Sequence, residues 1–130
     1  MYNYILLVAI LYRRTEVIIL NKLIVGIDIG KRTHVATIID DKGNTVTRSF
    51  SFENTTTGGN FLLDRIAAIN TESSPVVFGL EATGHYWLAL YSFLTTKGYS
   101  ISVINPYQSD AWRKVWIKMK ASGYFRLNFI

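Results

Sequence analysis

Two short, almost unbroken apolar runs do most to limit what this chain can fold into. They are Leu23-Ile-Val-Gly-Ile-Asp-Ile29 and Val76-Val-Phe-Gly-Leu80. Neither alternates apolar with polar residues, and both are bounded by turn-forming sequence. A strand of this kind must be covered on both faces, as in the interior of a parallel or mixed sheet flanked by helices. Each run also meets an acid: Asp28 lies within the first and Glu81 directly follows the second.

The punctuation around these runs supplies the remaining elements. Gly30-Lys31-Arg32-Thr33 reads as a turn and His34 to Asp40 as a strand. Asp41-Lys42-Gly43-Asn44 has the composition of a hairpin turn. Thr45 to Phe52 reads as a third strand, with Val46, Arg48, Phe50 and Phe52 on one face and Thr45, Thr47, Ser49 and Ser51 on the other. Asn54 to Gly59 reads as a loop, Asn60 to Asn70 as a helix and Pro75 to Glu81 as a strand. Tyr86 to Lys97 is a second helix, with Gly98 as its C-cap. Tyr99 to Ile104 is a fifth strand. Asn105-Pro106 breaks it, and a third helix starts near Tyr107. The order β-β-β-α-β-α-β-α, with right-handed crossovers placing the fourth strand beside the first, is α/β. It is the plan of a ribonuclease-H-like mixed sheet with helices on both faces.

Length and composition exclude several other classes. The 130 residues fit one domain, and 49% hydrophobic against 18% charged residues excludes a disordered chain. The absence of cysteine removes disulfide scaffolds, thiolate zinc sites and thiol nucleophiles, and it suits a cytoplasmic location. The apolar run Ile5 to Leu11 is followed, not preceded, by Arg13-Arg14, so it is not expected to act as a signal peptide. It also falls short of the roughly 20 residues of a membrane span, and no membrane partner is expected. Residues 1–20 are expected to be an extension that does not belong to the native domain.

Asp28 and Glu81 carry the candidate chemistry. A carboxylate in a buried strand has to be paired, neutralised or bound to metal. If the first and fourth strands are parallel neighbours, both acids project near one end of the sheet and can share a cation. Hard oxygen ligands suit Mg²⁺ or Mn²⁺, and a two-metal site would clamp the attacking and leaving oxygens of a phosphodiester. A lone Asp near a strand end also caps turns or pairs with a neighbouring cation, and Lys31 and Arg32 stand close by. Gly30 and Gly84 are read as permitting tight turns beside the acids.

Val25-Gly-Ile-Asp-Ile-Gly-Lys31, the stretch His34 to Asp40 and Leu80-Glu-Ala-Thr-Gly-His-Tyr86 together resemble the catalytic domain of the DEDD transposases of bacterial insertion sequences. That domain is RuvC-like and carries three Asp and one Glu. Val103-Ile-Asn-Pro106 and the basic stretch after it are similar to the same family. The resemblance covers about Lys22 to Trp116. It implies that Asp28 is the first acid and Glu81 the second, both catalytic and both ligands of Mg²⁺ or Mn²⁺. It further implies DNA as substrate, a guide RNA as partner and a homo-oligomer of the intact protein. The family's last two Asp stand in a Thr-Asp-x-x-Asp-Ala-type motif after the basic stretch, whereas residues 117–130 here contain no acid. The expectation is therefore a C-terminally incomplete domain over 21–117, followed by a divergent basic tail over 118–130. Such a chain is expected not to cut or join DNA by itself, and a truncated or frameshifted reading frame is the expected source of both ends.

Charge draws attention to the tail. Nine Lys and Arg balance nine Asp and Glu before Arg113, so the net +5 rests on Arg113, Lys114, Lys118, Lys120 and Arg126. In helical register Trp112, Val115, Trp116 and Met119 form a stripe opposite most of these cations. The pattern fits phosphate-backbone contact, an anionic surface, or a solvated helix with its Trp residues packed inward. Candidate nucleic-acid contacts are therefore Arg113, Lys114, Lys118 and Lys120, with Lys31 and His85 near the acids. Lys31 also reads as a solvated turn residue, and Tyr86 and Trp87 as first-turn residues packing on the sheet. Two competing functions remain: an actin-like sugar kinase or ATPase, which shares an opening Gly-Ile-Asp-x-Gly, and a non-catalytic nucleic-acid-binding remnant.

Overall fold

A computed structural model describes residues 22–107. Among the described residues five strands and two helices follow in the order β1 (Leu23–Asp28), β2 (Thr33–Ile39), β3 (Phe50–Glu53), α1 (Thr56–Ile69), β4 (Val76–Glu81), α2 (Leu88–Thr96) and β5 (Ser100–Ile104). They form one sheet in the order β3-β2-β1-β4-β5. The first three strands are antiparallel neighbours, whereas β4 runs parallel to β1 and β5 parallel to β4. This is the expected ribonuclease-H-like arrangement. The two apolar runs lie side by side at its centre.

The core sits on one face of the sheet. Val25, Ile27, Ala36, Ile38, Phe52, Phe78 and Leu80 meet Leu62 and Ile66 of α1 and Leu90 and Leu94 of α2. Among the described residues both helices therefore cover the same face, not one face each. The opposite face buries a smaller set, Ile24 with Ile39, together with Thr37 and Ile104. After β5, Pro106 and Tyr107 take up helical backbone. The Asn105 side chain accepts from Tyr107 N–H at 2.8 Å, at the start expected from Asn105-Pro106. The rest of the third helix expected there, and the residues before 22, lie outside the described residues.

Three boundaries differ from the sequence expectation, each for a local reason. The third strand is confined to Phe50–Glu53, with only an isolated bridge from Ile39 to Thr45 before it. Three residue steps separate Ala36 from Ile39, but five separate their partners Phe50 and Thr45. The edge strand thus carries two extra residues, a bulge that its polar Thr47-Arg48-Ser49 tolerates because those residues have no apolar surface to bury. Helix α1 starts at Thr56 instead of Asn60. The Thr55 side chain caps it by accepting from Gly58 N–H at 3.0 Å, and the two glycines that read as loop are buried helix residues at close approaches. A Cβ on Gly58 would collide with the Glu53 backbone, and one on Gly59 would lie 2.7 Å from the Phe93 ring. Helix α2 starts at Leu88 instead of Tyr86 and ends in a Schellman motif. There Gly98 at φ +89° donates to Thr95 O and Tyr99 N–H donates to Leu94 O.

Candidate active site

The parallel register of β1 and β4 decides the geometry of the site. Ile27 pairs with Leu80, so the next residues, Asp28 and Glu81, stand side by side at the C-terminal ends of the two central strands. Adjacent strands lie about 4.8 Å apart and in-register residues share a face. Ile27 and Leu80 point into the core. Asp28 and Glu81 therefore project from the opposite face, the one without α1 and α2. Asp28 is exposed and Glu81 half-buried. This corrects the expectation of a carboxylate enclosed in mid-strand: Asp28 is the last residue of β1, where the sheet meets solvent.

Each acid is followed by a turn that glycine makes possible. After Asp28 the chain folds so tightly that a Cβ on Gly30 would collide with the Thr33 carbonyl. After Glu81, Gly84 adopts φ +62°. The Thr83 hydroxyl donates to Glu81 Oε1 at 3.4 Å and Ala82 N–H donates to Ile104 O at 2.9 Å, which keeps this strand end against β5. Trp87 Nε1 donates to Gly84 O at 3.1 Å and the ring packs on the core, while the exposed His85 lies tilted against Tyr86, 4.4 Å between ring centroids. Residues 84–87 form a turn ahead of α2, not its first helical turn.

Of the residues expected to carry function, the fold brings Asp28, Glu81, Lys31 and His85 to one end of the sheet. Lys31 is exposed in the turn after Asp28, and its carbonyl accepts from Asn54 Nδ2 at 3.3 Å. Arg113, Lys114, Lys118 and Lys120 lie outside the described residues. Among the described residues no three His, Cys, Asp or Glu side chains gather into a metal-binding group. Asp28 and Glu81 are thus the candidate hard-oxygen donors among the described residues.

Sequence reading missed His34. It is fully buried beneath the turn, against Phe52 at 5.3 Å between ring centroids. Its Nδ1 accepts from Gly30 N–H at 3.1 Å. Nε2 therefore carries the proton, and it has no hydrogen-bond partner among the described residues. Burial pushes the imidazole below its ordinary pKa of 6.5. The Asn54 side chain and, less strongly, the Asp28 carboxylate push the other way. One signal was available: His34 shares the inward phase of β2 with Ala36 and Ile38.

A family model of transposases, the DEDD type of IS110 elements, matches residues 25–121. The chain belongs to the DEDD transposase family. The matched span contains both carboxylates and all the described strands except the first residues of β1. No curated protein sequence matches the chain. Among solved structures it is similar to T. thermophilus RuvC in complex with Holliday junction substrate, at 10% identity and TM-score 0.43 over 67% of this chain and 66% of that one. It is also similar to an Aquifex aeolicus member of the Ppx/GppA family, at 14% identity and TM-score 0.40 over 67% and 36%. A third is the ethanolamine utilization protein EutJ of Carboxydothermus hydrogenoformans, at 12% identity and TM-score 0.42 over 64% and 36%. The transposase chain thus spans 66% of the first of these proteins and 36% of each of the others. No helix among the described residues is long and apolar enough to cross a membrane.

Proposed function

We propose that the chain contributes half of the catalytic centre of a DEDD transposase, with Asp28 and Glu81 as ligands of Mg²⁺ or Mn²⁺ and DNA as the substrate. The observation that carries this reading is their placement in register at the ends of two parallel central strands. Two hard oxygen donors there suit a small divalent cation. When bound, such a cation neutralises charge on a phosphodiester and lowers the pKa of attached water. Lys31 and His85 flank the pair and are available to a phosphate backbone. In the intact transposase a guide RNA and a second subunit complete the assembly.

Two carboxylates without the family's last two Asp hold one ion weakly, so these 130 residues do not cut or join DNA by themselves. The test is a Mn²⁺ titration followed by electron paramagnetic resonance, beside a plasmid-nicking assay. The expected result is one site with a dissociation constant on the order of 1 mM, lost in Asp28→Asn and in Glu81→Gln, with no nicking. Binding that survives both substitutions places the ion elsewhere and removes the reading. Nicking by the purified chain overturns the claim of inactivity.

A further inference from the structure

We propose that His34 is a positioning residue for the Asp28 carboxylate, acting through the Gly30 amide. The inference rests on the reading of Asp28 as a metal ligand. The β1–β2 ladder ends at the pair Asp28 and Val35, so nothing in the sheet holds the chain beyond that point. Two residues later Gly30 N–H donates to His34 Nδ1 at 3.1 Å. The acceptor is rigid, because the imidazole is fully buried and packed against Phe52. Gly30 is seated against the Thr33 carbonyl in a space that admits no Cβ. From the other side Asn54 N–H donates to Arg32 O at 2.8 Å and Asn54 Nδ2 donates to Lys31 O. The turn is therefore tied to the core by His34 and to Asn54, the residue after β3, and the tie nearest the carboxylate is the histidine.

A ligand at the frayed end of a strand loses orientation and hence metal affinity. A buried acceptor that fixes the backbone two residues away acts as outer-shell partners do, whose removal commonly weakens metal binding about 10–100-fold. A packing role alone makes a different demand. It is met best by an apolar side chain of similar volume, whereas the positioning role is met by any side chain with an acceptor at the Nδ1 position. Asn carries an amide oxygen at that position. Gln places its amide at the Nε2 position and leaves Gly30 N–H without an acceptor.

The experiment compares His34→Leu, His34→Asn and His34→Gln in the full chain by Mn²⁺ titration and by hydrogen exchange of the Gly30 amide. His34→Leu and His34→Gln are expected to weaken Mn²⁺ binding about 10-fold or more and to unprotect Gly30, while His34→Asn stays within about threefold of wild type. The contrast of Asn with Gln decides the matter if the Leu variant does not fold. Affinity in His34→Leu or His34→Gln equal to or above that of His34→Asn overturns the proposal. If the wild-type chain binds no Mn²⁺, the metal reading itself falls. The pinning of the turn is then decided by the Gly30 amide: protection in wild type and Asn but not in Gln upholds it, and equal exchange in all variants refutes it.

Discussion

Replacing Gly58 by alanine sets two effects of opposite sign against each other. Gly58 is the third helical residue of α1, after Thr56 and Thr57. On helix propensity alone the change stabilises by up to about 1 kcal/mol. The new methyl, however, is built onto the Glu53 carbonyl and carbon of β3. That neighbour is backbone held in the ladder by the pairing of Thr33 with Glu53, so it cannot rotate aside as a side chain would. The N-terminus of α1 has to lift off the strand instead. Lifting strains the Gly58 N–H bond to Thr55, a cap worth about 1 kcal/mol. It also disturbs Leu62 and Ile66, which are 0% and 3% exposed, and overpacking of this kind costs about 1–3 kcal/mol. Opposing terms of about 2–4 and about 1 kcal/mol leave a net loss of about 1–3 kcal/mol. Urea unfolding followed by circular dichroism measures it as a lower midpoint at unchanged m-value. A variant as stable as wild type, or more so, refutes the close-approach account of this glycine.

Three further outcomes follow from named residues. Gly98→Ala, at φ +89° in the Schellman cap of α2, is expected to lose about 1 kcal/mol in the same urea assay, and no loss removes the left-handed requirement. The depressed pKa of buried His34 makes the unfolded chain bind a proton that the folded chain refuses. Stability from this group is full above pH 6.5 and declines as the pH falls from there toward the lowered folded value, by up to about 1.4 kcal/mol per unit. Urea midpoints that are equal at pH 7.5 and 5.5, or that fall identically in His34→Leu, contradict this. Deleting residues 113–130 is expected to abolish low-salt DNA binding that in the full chain falls with a log–log salt slope of about −3.6 for four phosphate contacts. Binding retained by the deletion variant, measured by fluorescence anisotropy, removes the tail as a nucleic-acid contact.

Much of the architecture was legible because its signals are local. Apolar runs without alternation mark Leu23–Asp28 and Val76–Glu81 as central strands, and Gly98 marks the end of α2. Local signals failed where tertiary contact reverses a residue's usual meaning. Gly58-Gly59 reads as a loop until Glu53 and Phe93 are seen pressing on a helix there. The edge strand reads as continuous until its register shows two residues bulging out of the ladder.

The site divides along the same line. The two acids, the glycines of their turns and the family resemblance are properties of the sequence, since residue type and spacing along one chain are enough to read them. Three things had to await the tertiary structure. They are the single register that sets Asp28 beside Glu81, the solvent-facing position of Asp28, and the descent of His34 into the core to hold Gly30. The physical reason is that strand pairing, burial and a hydrogen bond across a turn are relations between elements. A periodic sequence specifies which face each element buries, but the packing of the elements decides which residues then meet.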